Sequence, residues 1–188
     1  MVNLKRAKVN KRIPKNRFKG DLSAVELVTW LYKISLETAD FRKAGDLAEI
    51  QIFEVKFKAD AIDKKAFAAI QKAIPYPIIF AAGAKNYTIA EGTLFEADAI
   101  VAGDELQIER RSSLISDLYD DIIKHFVPIA KRMGENTSEF IARYSIIKGL
   151  ERDIASLQKR VDTEKQPNKR IQLNEELKRL KADKEALQ

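Results

Sequence analysis

The sequence contains no cysteine, one histidine, seven glycines and five prolines in 188 residues. Without cysteine there is no disulfide, no thiol nucleophile and no thiolate metal site. A single histidine, His125, excludes a multi-histidine metal centre within one chain. It also leaves little room for histidine-based catalysis. The longest apolar run, around Ile78–Ala82, falls far short of the ~20 residues a membrane span needs. Met1–Arg6 runs straight into charge, so no signal peptide is read there and a cytoplasmic protein is expected. Glycine-rich phosphate loops, Gly-x-Ser-x-Gly, His-Glu-x-x-His and EF-hand patterns are missing. No cofactor and no bound metal are expected.

What is present is charge, unevenly spread around a net +6. Residues 1–20 hold Lys5, Arg6, Lys8, Lys11, Arg12, Lys15, Arg17 and Lys19 and no acidic residue. Residues 21–149 hold 16 basic and 20 acidic side chains, and residues 150–188 hold 10 and 8. The basic character therefore belongs to an N-terminal arm on an acidic body. Such an arm attracts nucleic-acid phosphate through counterion release and long-range steering. Packing of the arm on its own body is the other reading. Phe18 is the only aromatic in the arm, so support for base stacking is thin.

Residues 1–20 read as irregular. Alternation and β-branched or aromatic content predict strands over 26–36, 49–58, 77–82, 87–90, 93–101 and 105–110. On the 49–58 strand, Phe53, Val55 and Phe57 fall on one face, and Ile50, Ile52, Glu54, Lys56 and Lys58 on the other. Apolar spacing predicts a short helix over 63–73, stopped by Pro75 and Pro77. The resulting class is α+β, a mostly antiparallel sheet with one crossing helix. From Ser113 onward the pattern is helical. Leu114, Leu118, Ile122, Phe126 and Ile129 recur at helical spacing, with His125 beside that stripe as a partly buried histidine. Asn136 and Glu139 have capping-box spacing.

Two apolar seams close the chain, Leu150, Ile154, Leu157 and Val161, then Leu173, Leu177, Leu180 and Leu187. Their registers break at Pro167-Asn168, which predicts an antiparallel coiled-coil hairpin with its tip at 163–169. A single kinked helix that dimerises is the competing arrangement. The charged tip, Glu164–Arg170, is a candidate nucleic-acid or partner contact or, as the commoner case, a solvated turn. The domain reading is a basic arm (1–20), an α+β domain (21–112), a helical connector (113–149) and the hairpin (150–188).

Glu54-Val55-Lys56 is the one stretch with catalytic potential. Glu-x-Lys on a strand, followed by a helix and a buried strand, is the local plan of PD-(D/E)xK nucleases. There, acids hold a divalent metal that activates water, and the lysine stabilises charge. The preceding strand offers no internal aspartate, so Asp40 or Asp46 would have to serve from a loop. The alternative for Glu54 and Lys56 is a surface ion pair. Trp30, Tyr32, Phe53 and Phe57 read as core aromatics, because no RNP-like motif accompanies them.

Several blocks together resemble bacterial domain-of-unknown-function family 4391. They are Val9–Phe18, Thr29–Ile34, Glu49–Glu54, Ala73–Phe80, Leu118-Tyr119, Glu164–Gln166 and Ile171–Asn174. They occur in the family's order over nearly the whole chain. The resemblance implies a setting near DNA methylase and helicase components of bacterial defence systems, and it carries no catalytic residue. The expectation is a non-enzymatic accessory or interaction protein of a bacterial DNA-processing or phage-defence, restriction-modification-like system. Its arm would contact DNA or RNA phosphate, and its C-terminal helices would engage a protein partner. A metal-dependent nuclease using Glu54 and Lys56 is the first alternative. A structural self-association module is the second.

Overall fold

A computed structural model describes residues 1–43 and 45–188, which fold as two units, Met1–Phe126 and Val127–Gln188. Among the described residues of the first unit, the strands are Val2–Asn3 (β1), Lys8–Arg12 (β2), Val25–Ser35 (β3), Glu49–Phe57 (β4), Ile78–Ala82 (β5), Lys85–Ala90 (β6), Thr93–Asp98 (β7), Val101–Ala102 (β8) and Glu105–Leu106 (β9). The helices there are Lys64–Lys72 (α1) and Ile115–Phe126 (α2). The class is α+β. A mixed, mostly antiparallel sheet runs in the order β2-β3-β4-β5-β6-β7, and β1-β9-β8 make a second small sheet.

Alternation decides the main sheet. Phe53 and Val55 of β4, Val28 of β3, Ile78 and Phe80 of β5 and Tyr87 of β6 share one buried face, against Ala66, Phe67 and Ile70 of α1. Phe67 is the keystone, with ring centroids 4.9 Å from Phe80 and 4.8 Å from Tyr87. The opposite face carries Ile50, Ile52 and Ile79, also buried. Helix α1 starts at Asp63, whose carboxylate accepts the Lys65 N–H as an N-cap. It then crosses to β5, which pairs parallel with β4 at Ile52↔Ile79 and Phe53↔Phe80. A two-residue turn at Gly83-Ala84 joins β5 to β6, antiparallel. The last strand is shorter than the sequence suggests, ending at Leu106.

The N-terminal residues differ most from their sequence reading. They are not irregular. β1 pairs with β9 and β2 with β3, and Val2, Leu4, Ala7 and Phe18 are buried. β2 escapes sequence reading because it is an edge strand with four polar residues in five, so no alternation marks it. Its register shifts between Lys8 and Lys11, where Asn10 takes a φ of 49°, a conformation asparagine tolerates. Further on, Gly20 adopts a φ of +153°, and a Cβ there would stand 2.6 Å from the Ala69 Cβ. The chain therefore crosses α1 at a point where only glycine fits.

In the second unit, Thr137–Thr163 (α3) and Pro167–Leu187 (α4) form a helical hairpin. The capping box is present in full: the Asn136 side chain accepts the Glu139 N–H, and Glu139 accepts the Asn136 N–H, each at 2.9 Å. Leu157, Val161 and Leu177 are buried together, with Ile154, Leu173 and Leu180 packed on them. Leu150 and Leu187 lie outside that cluster. Lys184, which interrupts the second seam, meets Glu151 of α3 at 3.1 Å instead. Pro167 is not inside the turn; it opens α4, where its missing N–H costs nothing.

Candidate nucleic-acid interface

The eight basic residues of the N-terminal segment divide into two groups. Arg6 pairs with Asp40 at 3.1 Å, Lys8 with Asp104 at 3.0 Å, and Lys15 donates to the Val25 carbonyl at 2.7 Å. These bonds tie the segment to the loop after β3, to the β8–β9 turn and to β3. Lys5, Lys11, Arg12, Arg17 and Lys19 make no ion pair among the described residues. Packing on the acidic body therefore accounts for part of the basic charge only.

Lys11, Arg12 and Arg17 line a cavity of about 690 Å³. Its walls come from four separate stretches: Lys11–Pro14 with Arg17 and Phe18, then Trp30, then Gln51 with Phe53, then Ala73–Tyr76. The local chemistry of each stretch explains the assembly. The Ile13 N–H bonds the Val28 carbonyl and continues the β2–β3 edge. Trp30 and Phe53 are paired residues on neighbouring strands, with rings within 4° of parallel and centroids 6.1 Å apart. The Trp30 indole N–H donates to the Tyr32 carbonyl at 3.1 Å, which fixes the ring. Gln71 at the end of α1 donates to the carbonyls of Ile74 and Tyr76 at 3.1 and 2.8 Å and holds that loop. Gln51 is buried and donates its amide N–H to Glu49, whose other oxygen pairs with Lys33 at 3.0 Å. That hydrogen bond to Glu49 raises the Lys33 pKa. A second hollow, about 310 Å³, is lined by Arg17, Lys19 and Lys72 with Ala69 and Ala73. Basic side chains on an edge strand also discourage pairing with other chains. This edge adds an aromatic cavity lined by the same side chains.

Sequence reasoning assigned Trp30 and Phe53 to the core, and both do pack on it. It missed that they also wall a cavity, because alternation gives the face of a residue but not what covers it. Periodicity and motif spacing gave Tyr76, Gln51 and Lys72 no role of their own. The stretches that carry the family resemblance over 9–18, 29–34, 49–54 and 73–80 contain every residue lining the larger cavity.

Glu54 and Lys56 stand apart, with Lys56 Nζ 3.7 Å from Glu54 Oε1 on a half-exposed strand end. They line a hollow of about 440 Å³ with Glu26 and Asp60; neither Asp40 nor Asp46 reaches it. Glu26, near the start of β3, is a glutamate where the nuclease plan has an aspartate, so the motif does not mark it. Among the described residues, no three histidine, aspartate or glutamate side chains come together as a metal site. His125 is exposed rather than partly buried, with Nε2 3.3 Å from the Asp98 carbonyl. No helix is long and apolar enough to cross a membrane, among the described residues.

No curated protein and no solved structure matches this sequence. The family model described as a domain of unknown function (DUF4391) matches residues 5–102 and 90–183. With that match running over nearly its whole length, the chain belongs to the DUF4391 family.

Proposed function

We propose that the protein is a non-enzymatic, cytoplasmic accessory protein of a bacterial DNA-processing or phage-defence system, and that it contacts nucleic-acid phosphate through its N-terminal segment. The carrying observation is that Lys11, Arg12, Arg17 and Lys19, all without ion pairs among the described residues, surround two adjoining hollows. Cations left unneutralised on a fixed backbone release counterions from a polyanion without first breaking an internal bond. The defence setting rests on the family resemblance alone. In this reading the C-terminal hairpin engages a partner chain, with its exposed Ile171 and charged tip as the contact.

Deleting residues 1–19 would be a poor test, since it removes β1, β2 and the buried Leu4 and Phe18. Replacing Lys11, Arg12, Arg17 and Lys19 together by alanine leaves the core intact. The wild-type protein should bind nucleic acid with a steep salt dependence. The variant should flatten the slope of log K against log salt by about 3 to 4, near one per lost phosphate contact. If wild-type protein binds neither DNA nor RNA in a salt-dependent way, the proposal is wrong.

A second reading, the metal-dependent nuclease, is favoured by one observation: Glu26, Glu54, Asp60 and Lys56 line one hollow beside a β4–α1–β5 parallel crossover. On the leading reading the protein cleaves neither DNA nor RNA with Mg²⁺ or Mn²⁺. Divalent-dependent cleavage that disappears in Glu54→Ala and Lys56→Ala, with circular dichroism unchanged, would replace the leading reading with this one.

A further inference from the structure

Phosphate contacts need only cations on a surface. The larger cavity offers more than that, a mostly aromatic and aliphatic interior of about 690 Å³, within the size range of small-molecule sites. We infer that this cavity takes one unpaired base of a single-stranded nucleic acid, with the flanking phosphates on Lys11, Arg12 and Arg17. The inference rests on the nucleic-acid reading above and narrows it from any polyanion to an unpaired strand.

Three features point to a base. The first is the aromatic wall: the Trp30 ring is already fixed by its bond to the Tyr32 carbonyl and by Phe53 beside it. A ring held in place loses little entropy when a base stacks on it. The second is Gln51, buried at the same wall. Glu49 accepts its amide N–H, so the amide is oriented, and its Oε1 has no donor among the described residues. That oxygen is the kind of acceptor a base edge can satisfy with an imino or amino hydrogen. The third is the continuation of charge. Arg17 belongs to both hollows, and Lys19 and Lys72 line the second, so the next phosphates along a strand meet cations as well. A base inside a duplex keeps both faces stacked and cannot enter without being flipped out, at a cost of unpairing. Single strands meet no such cost.

Trp30 is the only tryptophan in the chain, so its fluorescence reports on the cavity directly. The test titrates the full chain with a short oligothymidylate, with a duplex of the same length, and with thymidine monophosphate. The oligothymidylate should quench Trp30 saturably and bind at least about tenfold tighter than the duplex. Tyr76→Ala, which leaves the reporter in place, and Trp30→Leu, followed by anisotropy, should each weaken single-strand binding about five- to a hundredfold, as expected for a lost base–aromatic stack. Both should leave duplex binding unchanged. Equal binding of both strands with Trp30 unmoved would overturn the inference while the phosphate reading stands. Quenching by the monophosphate at the same affinity as by the oligonucleotide would make the occupant a free nucleotide and also overturn it. Absence of any salt-dependent binding would instead remove the reading on which it rests. If Trp30→Leu fails to fold, Tyr76→Ala decides.

Discussion

Replacing Arg143 by methionine should destabilise the C-terminal unit by about 3–5 kcal/mol, the usual cost of removing one partner from a buried ion pair. Arg143 is 6% exposed although it is the most polar residue type. Its guanidinium donates from Nε to Glu135 Oε1 at 2.7 Å and from Nη2 to Oε2 at 2.8 Å, a forked pair. Nη2 also reaches the Ala130 carbonyl at 2.7 Å, and Nη1 the Leu187 carbonyl at 2.8 Å. Leu187 ends α4, where backbone carbonyls have no partner within the helix and the helix dipole is negative. Arg132 serves the neighbouring Ala186 carbonyl in the same way, at 2.8 Å. One side chain thus joins the 130–135 segment, α3 and the far end of α4. Methionine fills similar volume but leaves the Glu135 carboxylate with the Arg132 N–H as its remaining donor, at 2.9 Å, and the Ala130 and Leu187 carbonyls without the Arg143 donors.

The pH dependence carries a definite sign. The Arg143 hydrogen bonds hold the Glu135 carboxyl down from its ordinary 4.5 to about 2. A carboxyl depressed in the folded state stabilises folding fully above its unfolded value and loses that contribution as pH falls through its folded value. The gap between wild type and Arg143→Met in urea unfolding, followed by helical circular dichroism, should therefore be full above about pH 5 and shrink towards about pH 2. Adding Glu135→Leu to Arg143→Met should recover much of the loss, because the buried charge goes too. A loss of about 1 kcal/mol or less, the range of a solvated surface pair, would show that the pair does not organise the unit.

The parts legible in the sequence are those with a period. The alternation of Glu49–Phe57, the Asn136–Glu139 capping box and the helical runs on either side of Pro167 each follow a rule that depends only on near neighbours. The parts that were hidden depend on distant partners. Lys8–Arg12 looks like loop because an exposed edge strand needs no apolar face. Trp30 looks like core because its strand says nothing about the Ile74–Tyr76 loop that frames the cavity with it. Arg143 falls in register with the apolar seam, one heptad before Leu150 and among the buried Phe140, Ile141 and Ile147, but an arginine there reads as a break in the stripe until its partner Glu135 is placed beside it. The same logic explains the candidate site. Its cations were readable as composition, but only the fold separates those bonded to Asp40, Asp104 and Val25 from those left for a ligand.

The second large effect belongs to the hairpin seam. Leu177 of α4 is 5% exposed and packs on Leu157 and Val161 of α3. Replacing it by aspartate removes about 1.5–3 kcal/mol of apolar burial and demands either a buried carboxylate or an open seam. Opening is the cheaper outcome, since an unpaired buried charge costs several kcal/mol. Once open, α4 has little to hold it, because most of a helix's stability in a protein comes from packing of its apolar face rather than from propensity. Its remaining bonds to Arg132 and Arg143 lie at the other end. Leu177→Asp should therefore lose helical circular dichroism equivalent to most of α4 and leave the Trp30 emission of the first unit unchanged. Leu177→Ala loses the same burial and leaves a cavity but brings no charge, so it should destabilise the unit by about 2–5 kcal/mol with the hairpin still closed. The absence of native cysteine allows a clean probe pair at Lys159→Cys and Glu175→Cys on exposed positions near the tip. Within one wild-type chain these probes should lie well inside the roughly 30 Å length of either helix, and they should separate in Leu177→Asp. Proximity found only between two chains would replace the hairpin with a dimer of kinked helices, and an unchanged distance in Leu177→Asp would show that the seam does not hold the hairpin shut.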